Sequence, residues 1–131
     1  MFGKMTEDMY RENIMDYYKN PRNKGSLAKP DIKNSGNNPL CGDEISMEAA
    51  LDKQGKIKEA RFDGKGCAIC MSSASMLTET IIGKPLDFVK KLKTEDIVEM
   101  LGITLVPIRV KCAVLGLKVL QEGIEKYKGD K

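Results

Sequence analysis

The sequence predicts an α+β domain, a three-stranded antiparallel sheet with an N-terminal helix and several C-terminal helices packed on it. Three observations predict it. Residues 44–52 and 56–63 read as strands joined by Lys53-Gln54-Gly55, a hairpin signal. Gly64-Lys65-Gly66 then turns the chain again, into a short third strand, Cys67-Ala68-Ile69-Cys70. On either side of this block apolar residues recur at helical spacing. With 131 residues the chain can bury a core without crosslinks, and it reads as one domain over 1–131.

Along the chain, Thr6 is placed to cap a helix whose first turn holds Glu7 and Asp8, the charge sign that a helix N-terminus favours. Met9, Tyr10, Ile14 and Tyr17 or Tyr18 form its apolar stripe, and Asn20-Pro21 ends it. Its three tyrosines suit either ordinary core packing or a docking helix. Residues 21–40, rich in Pro, Asn, Gly and Lys, read as a long irregular segment, mobile unless tied down. After the sheet, a helix from Ser72 to about Ile82 is stopped by Gly83 and Pro85. A further helix over 85–92 and one capped by Thr94 and ended by Gly102 follow. The last helix starts near Pro107 and carries Val110, Val114, Leu117 and Ile124, which sets Cys112 in or beside its first turns.

Composition narrows the function classes. A net charge of +3, with basic and acidic residues interspersed and few aromatics, argues against nucleic acid. No apolar run approaches the roughly 20 residues that span a bilayer. Glu7 and Asp8 stand where a secretory signal would be apolar, so the expected location is cytoplasmic. Histidine is absent, which excludes imidazole ligands and His-dependent nucleophiles. Any metal is therefore held by sulfur and carboxylate.

Four cysteines are present, and in a cytosolic chain they suggest metal or thiol chemistry before disulfides. Asn38-Pro39-Leu40-Cys41-Gly42-Asp43 places a thiol and a carboxylate two residues apart around a glycine that permits a tight turn. Gly64-Lys65-Gly66-Cys67 and Pro107-Ile108-Arg109-Val110-Lys111-Cys112 each deliver another thiol from a chain junction. In a meander the starts of strands one and three share an end, which would bring Cys41 and Cys67 together. Three thiols and one carboxylate then make a four-coordinate site whose oxygen corner, Asp43, is the more labile. The wide spacing differs from the close ligand pairs of a zinc finger. The dipole of the last helix, with Arg109 and Lys111, should favour the Cys112 thiolate. Cys67-x-x-Cys70 also fits a redox pair, but on a strand its two side chains would point to opposite faces, leaving Cys70 as a buried apolar residue. A structural zinc protein that binds partners through its tyrosine-bearing helix is the rival reading.

The segments Tyr10-Arg11-Glu12-Asn13-Ile14-Met15-Asp16-Tyr17-Tyr18-Lys19-Asn20-Pro21-Arg22-Asn23, Asn38–Asp43, Gly64–Ile69 and Arg109-Val110-Lys111-Cys112-Ala113 resemble the U-type iron–sulfur cluster assembly scaffolds, the IscU, SufU and NifU N-terminal group. The resemblance implies a scaffold that receives persulfide sulfur from a cysteine desulfurase, assembles a [2Fe–2S] cluster with iron, and passes it to apo-proteins. It implies Cys41, Asp43, Cys67 and Cys112 as ligands of the cluster, or of zinc, and Cys112 as the sulfur acceptor. Homo-oligomers are compatible with it. Lys111 is as in SufU-type members, where IscU-type members have histidine, yet the SufU-type insertion between the second and third motif cysteines is missing. SufU-type relatives can act as zinc-dependent sulfurtransferases. Cys70 stands where the family usually has a small residue without a thiol.

Overall fold

The sheet has the order β1 (Ile32–Asn38), β2 (Asp43–Leu51), β3 (Ile57–Lys65), antiparallel throughout. The helices are α1 (Glu7–Lys19), α2 (Ala68–Ile81), α3 (Leu86–Lys91), α4 (Thr94–Leu101) and α5 (Pro107–Gly129). This computed structural model describes residues 6–39 and 42–129. Helix α5 lies along β1 and β2, α2 along β3 and α5, and α1 across α2. Period-two alternation turns Ile45, Met47 and Ala49 of β2 inward, where Met47 meets Phe62 and Ala49 meets Ala60 across the ladder.

The fold class is as expected, but one of its three strands is not the one expected. Residues 32–38, read as irregular, form β1, and Cys67–Cys70 is no strand. Cys67 caps α2, which therefore begins at Ala68 and not near Ser72. Strand β1, Ile-Lys-Asn-Ser-Gly-Asn-Asn, has little strand propensity of its own. Tertiary packing supplies what propensity lacks. The Asn34 amide donates to the Val119 carbonyl at 2.9 Å and accepts from Lys126 at 2.9 Å. A Cβ at Gly36 would stand 2.9 Å from Val119 Cγ2, so the close approach of α5 requires glycine there.

Residues 21–31 are tied down by the rest of the fold. The Arg22 N–H donates to Ser75 Oγ at 2.8 Å, Gly25 N–H to the Phe62 carbonyl at 2.8 Å, and Leu27 N–H to Glu48 Oε1 at 2.8 Å. Arg22 also stacks over the Tyr17 ring and pairs with Asp16 at 2.7 Å, which holds the Asp16 carboxyl below the usual carboxylate range. Tyr17 donates to Glu79 of α2. Of the tyrosines of α1, Tyr10 and Tyr17 pack against the core and Tyr18 is exposed, so core packing accounts for two of the three.

Helix α1 begins as expected, with Thr6 Oγ1 accepting from Met9 N–H at 3.2 Å. Helix α4 is capped one residue early: Lys93, not Thr94, is its N-cap, and the Asp96 carboxylate accepts from the Lys93 N–H. Helix α2 is buried on nearly every side, and its hydroxyls are partnered. Ser72 donates to the Ile14 carbonyl at 2.7 Å, Ser73 donates to the Ala113 carbonyl at 2.6 Å, and Thr78 accepts from the Asn23 amide at 3.2 Å. Through these bonds α2 fixes α1, α5 and the 21–31 segment at once.

Candidate metal centre

Antiparallel register builds the site. Glu44 near the start of β2 pairs with Lys65 at the end of β3, so Gly66 and Cys67 emerge beside Asp43. The Cys67 N–H donates to Asp43 Oδ1 at 3.0 Å, which fastens the α2 N-terminus to the first residue of β2. The expected meeting of Cys67 with this end of the sheet therefore occurs, but because a strand ends there, not because one starts. Gly66 leaves the room needed. A Cβ on it would lie 2.5 Å from Asp43 Oδ1.

The third side chain comes from α5. Cys112 is fully buried, with Asn38 Nδ2 3.8 Å from its sulfur. Its thiol lies 3.6 Å from the Ile108 carbonyl one turn back. Arg109 is the cation at the sulfurs, and both it and Lys111 are exposed. The charge on Cys67 above all, and then that on Cys112, raises the Arg109 pKa above the usual arginine range.

The ligand atoms of Asp43, Cys67 and Cys112 all lie within 4.8 Å of one another. Asp43 is fully buried, and among the described residues its Oδ2 has no hydrogen-bond partner. Buried carboxylate oxygens are normally paired, and an unpaired one costs several kcal/mol by the usual order of magnitude. Two thiols at the same point, each a metal ligand once deprotonated, make this a candidate site for a cation with affinity for both sulfur and oxygen. Three of the four expected site residues thus converge. The fourth, Cys41, lies outside the described residues, although Asn38 and Asp43 on either side of it pair across β1 and β2. Two contributors went unnoticed in the sequence, Asn38 and Gly66. Both stood inside motifs already singled out, but only the register shows that one faces Cys112 and the other makes room for Asp43.

Residues 9–131 match the family described as the NifU-like N terminal domain. The chain belongs to this family. It is 37% identical to the zinc-dependent sulfurtransferase SufU of Bacillus subtilis, over 98% of this chain and 97% of that protein. It is 35% identical to the iron–sulfur cluster assembly scaffold protein IscU of Escherichia coli K12, over 91% of this chain and 94% of that protein. A crystal structure described as a candidate iron–sulfur cluster assembly scaffold protein for the SUF system, from Fervidobacterium islandicum, superposes with a TM-score of 0.74 at 29% identity. It covers 92% of this chain and 99% of that one. Among the described residues no helix is long and apolar enough to cross a membrane.

Proposed function

We propose that this domain is an iron–sulfur cluster assembly scaffold. It accepts persulfide sulfur from a cysteine desulfurase, gathers iron and sulfide among Cys41, Asp43, Cys67 and Cys112 as a [2Fe–2S] cluster, and releases the cluster to apo-proteins. The observation that carries the reading is the convergence of Asp43, Cys67 and Cys112 on one point with a carboxylate oxygen left unpaired there.

In this reading Cys112 is the sulfur acceptor, and its thiolate attacks the outer sulfur of the donor's persulfide. Cys67 is the more exposed of the two described sulfurs and lies within 4.8 Å of Cys112. Sulfane sulfur accepted by either is therefore shared between them, as one thiolate attacks the outer sulfur of the other's persulfide. Arg109 offsets the negative charge that accumulates. Asp43 is the labile corner, because carboxylate oxygen binds iron less firmly than thiolate. An Asp43→Ala variant should keep its cluster longer, which the decay of the visible absorbance measures; faster loss would contradict the assignment of that corner.

A second reading, a zinc-dependent sulfurtransferase, is favoured by the SufU relative and by Lys111 in place of histidine. Anaerobic reconstitution with iron, sulfide and a desulfurase discriminates the two. The scaffold gives a thiolate-to-iron charge-transfer spectrum with about two irons and two sulfides per site. A chain that holds only zinc and hands labelled sulfur to a second acceptor decides for the transferase.

A further inference from the structure

Cys67-x-x-Cys70 looked unproductive as a strand. As the first turn of a helix it is a different object. Cys67 is the N-cap of α2, with extended backbone (φ −69°, ψ 166°), and Cys70 sits three residues on, in the first turn. Side chains at these two positions can reach each other's backbone N–H groups, the reciprocity behind the capping box, so they adjoin. Residues three apart on a helix have Cβ atoms about 5–6 Å apart, and a small side-chain and backbone adjustment brings such a pair to disulfide geometry. The Cys67 side chain makes no capping hydrogen bond, so turning it toward Cys70 costs the helix end no bond and gives up only its contact with the exposed Arg109. Exposure divides the labour: Cys67 is half-buried and meets reagents first, whereas Cys70 is 1% exposed and belongs to the core against which Cys67 packs. Cys70 is not part of the Asp43, Cys67, Cys112 cluster, so the ligand set does not explain it.

We infer that Cys70 is the resolving thiol of Cys67, cleaving a persulfide carried there to release sulfide inside the metal centre. The Cys70 thiolate attacks Sγ of Cys67 within the Cys67–S–SH group. The bond from Sγ to the outer sulfur breaks, and that sulfur leaves as hydrosulfide, taking up the proton that Cys70 gave up. A Cys67–Cys70 disulfide forms. The sulfane sulfur gains two electrons and the two cysteine sulfurs lose them, so the step needs no outside reductant. A dithiol reductant then restores both thiols by exchange, and Cys67 returns to the ligand set. Sulfide is thereby produced beside Asp43 and Cys112, where iron would meet it. The inference rests on the persulfide-accepting reading above.

The test treats the apo chain without oxygen with glutathione persulfide, removes the excess, and follows sulfide with bromobimane and the chain by intact and peptide mass spectrometry. Wild type should release up to one sulfide per chain, return to a mass two hydrogens below the dithiol form, and yield a peptide crosslinked between Cys67 and Cys70. Cys70→Ser should keep the added sulfur and lose the sulfide release. If wild type and Cys70→Ser both keep the added sulfur, or if the wild-type crosslink maps to another pair, Cys70 is not the resolving thiol and the persulfide-accepting reading stands. If neither takes up sulfur, that reading falls and this inference with it. The wild-type crosslink is read without any substitution, so a poorly folded variant does not blunt the test.

Discussion

In the middle of α2, Ser72, Ser73, Ser75 and Thr78 are as deeply buried as Asp43 at its N-terminal end, yet the two groups are partnered differently. Each of the four hydroxyls exchanges a hydrogen bond with a neighbouring part of the chain, whereas Asp43 spends one oxygen on the Cys67 N–H and leaves the other without a partner among the described residues. Burial alone therefore does not mark a functional group. A buried polar atom that the fold has not satisfied, standing beside two thiols, does. The satisfied set holds the architecture, and the unsatisfied one waits for a ligand.

Substitutions can break or sharpen this contrast. The largest effect is expected at the sulfurs. Cys67→Ala and Cys112→Ala should each abolish stoichiometric retention of zinc or iron through gel filtration, and retention at the wild-type level would dissolve the distinction between the two groups. Next comes Gly66→Ala, whose Cβ presses on Asp43 Oδ1. Metal affinity should fall about 10–100-fold, the scale for disturbing a ligand's support, as chelator competition would report. Ser75→Ala works on the other set: it leaves the Arg22 N–H without its acceptor, and urea unfolding should show a loss of about 1–2 kcal/mol with metal stoichiometry unchanged. Asp43→Asn has the opposite sign. Removing an unpaired buried carboxylate while keeping its shape should stabilise the apo chain by about 1 kcal/mol in the same assay. The smallest effect is expected from a chelator on the wild type, whose far-ultraviolet circular dichroism should barely change, because the core between α2, α5 and the sheet is a continuous apolar cluster. Melting on chelation would instead support a structural zinc protein.

How much was legible follows from where each signal comes from. The helices α1 and α5 carry a 3.6-residue stripe, with a cap and a stop at α1 and a proline at the start of α5, so both ends of α1 and the start of α5 could be read directly. The β2–β3 hairpin carries alternation and a turn. Strand β1 carries neither, because its side chains are chosen for contact with α5, with Asn34 bonding to Val119 and Gly36 admitting its side chain. Cys67–Cys70 is short and apolar, a pattern that strand and helix start share, and choosing the strand hid the relation between its two thiols. The site does not depend on which segment forms the third strand. Asp43, Cys67 and Cys112 meet because they stand at chain junctions, and the glycines and proline that mark junctions remain visible whatever lies between them. Arg109 was expected to act on Cys112 alone, and only the fold brings it to Cys67 as well.

Helix α5 has a practical consequence. It is one uninterrupted rod of 23 residues that begins at the metal centre and leaves it, so Glu125, exposed on its far half, stands about 20 Å from Cys112 at 1.5 Å per residue. A fluorophore or spin label introduced there through chemistry that spares thiols would ride on the same rigid body as Cys112. It would read out the docking of a sulfur donor or a cluster recipient as a change in rotation, without entering the chemistry it observes.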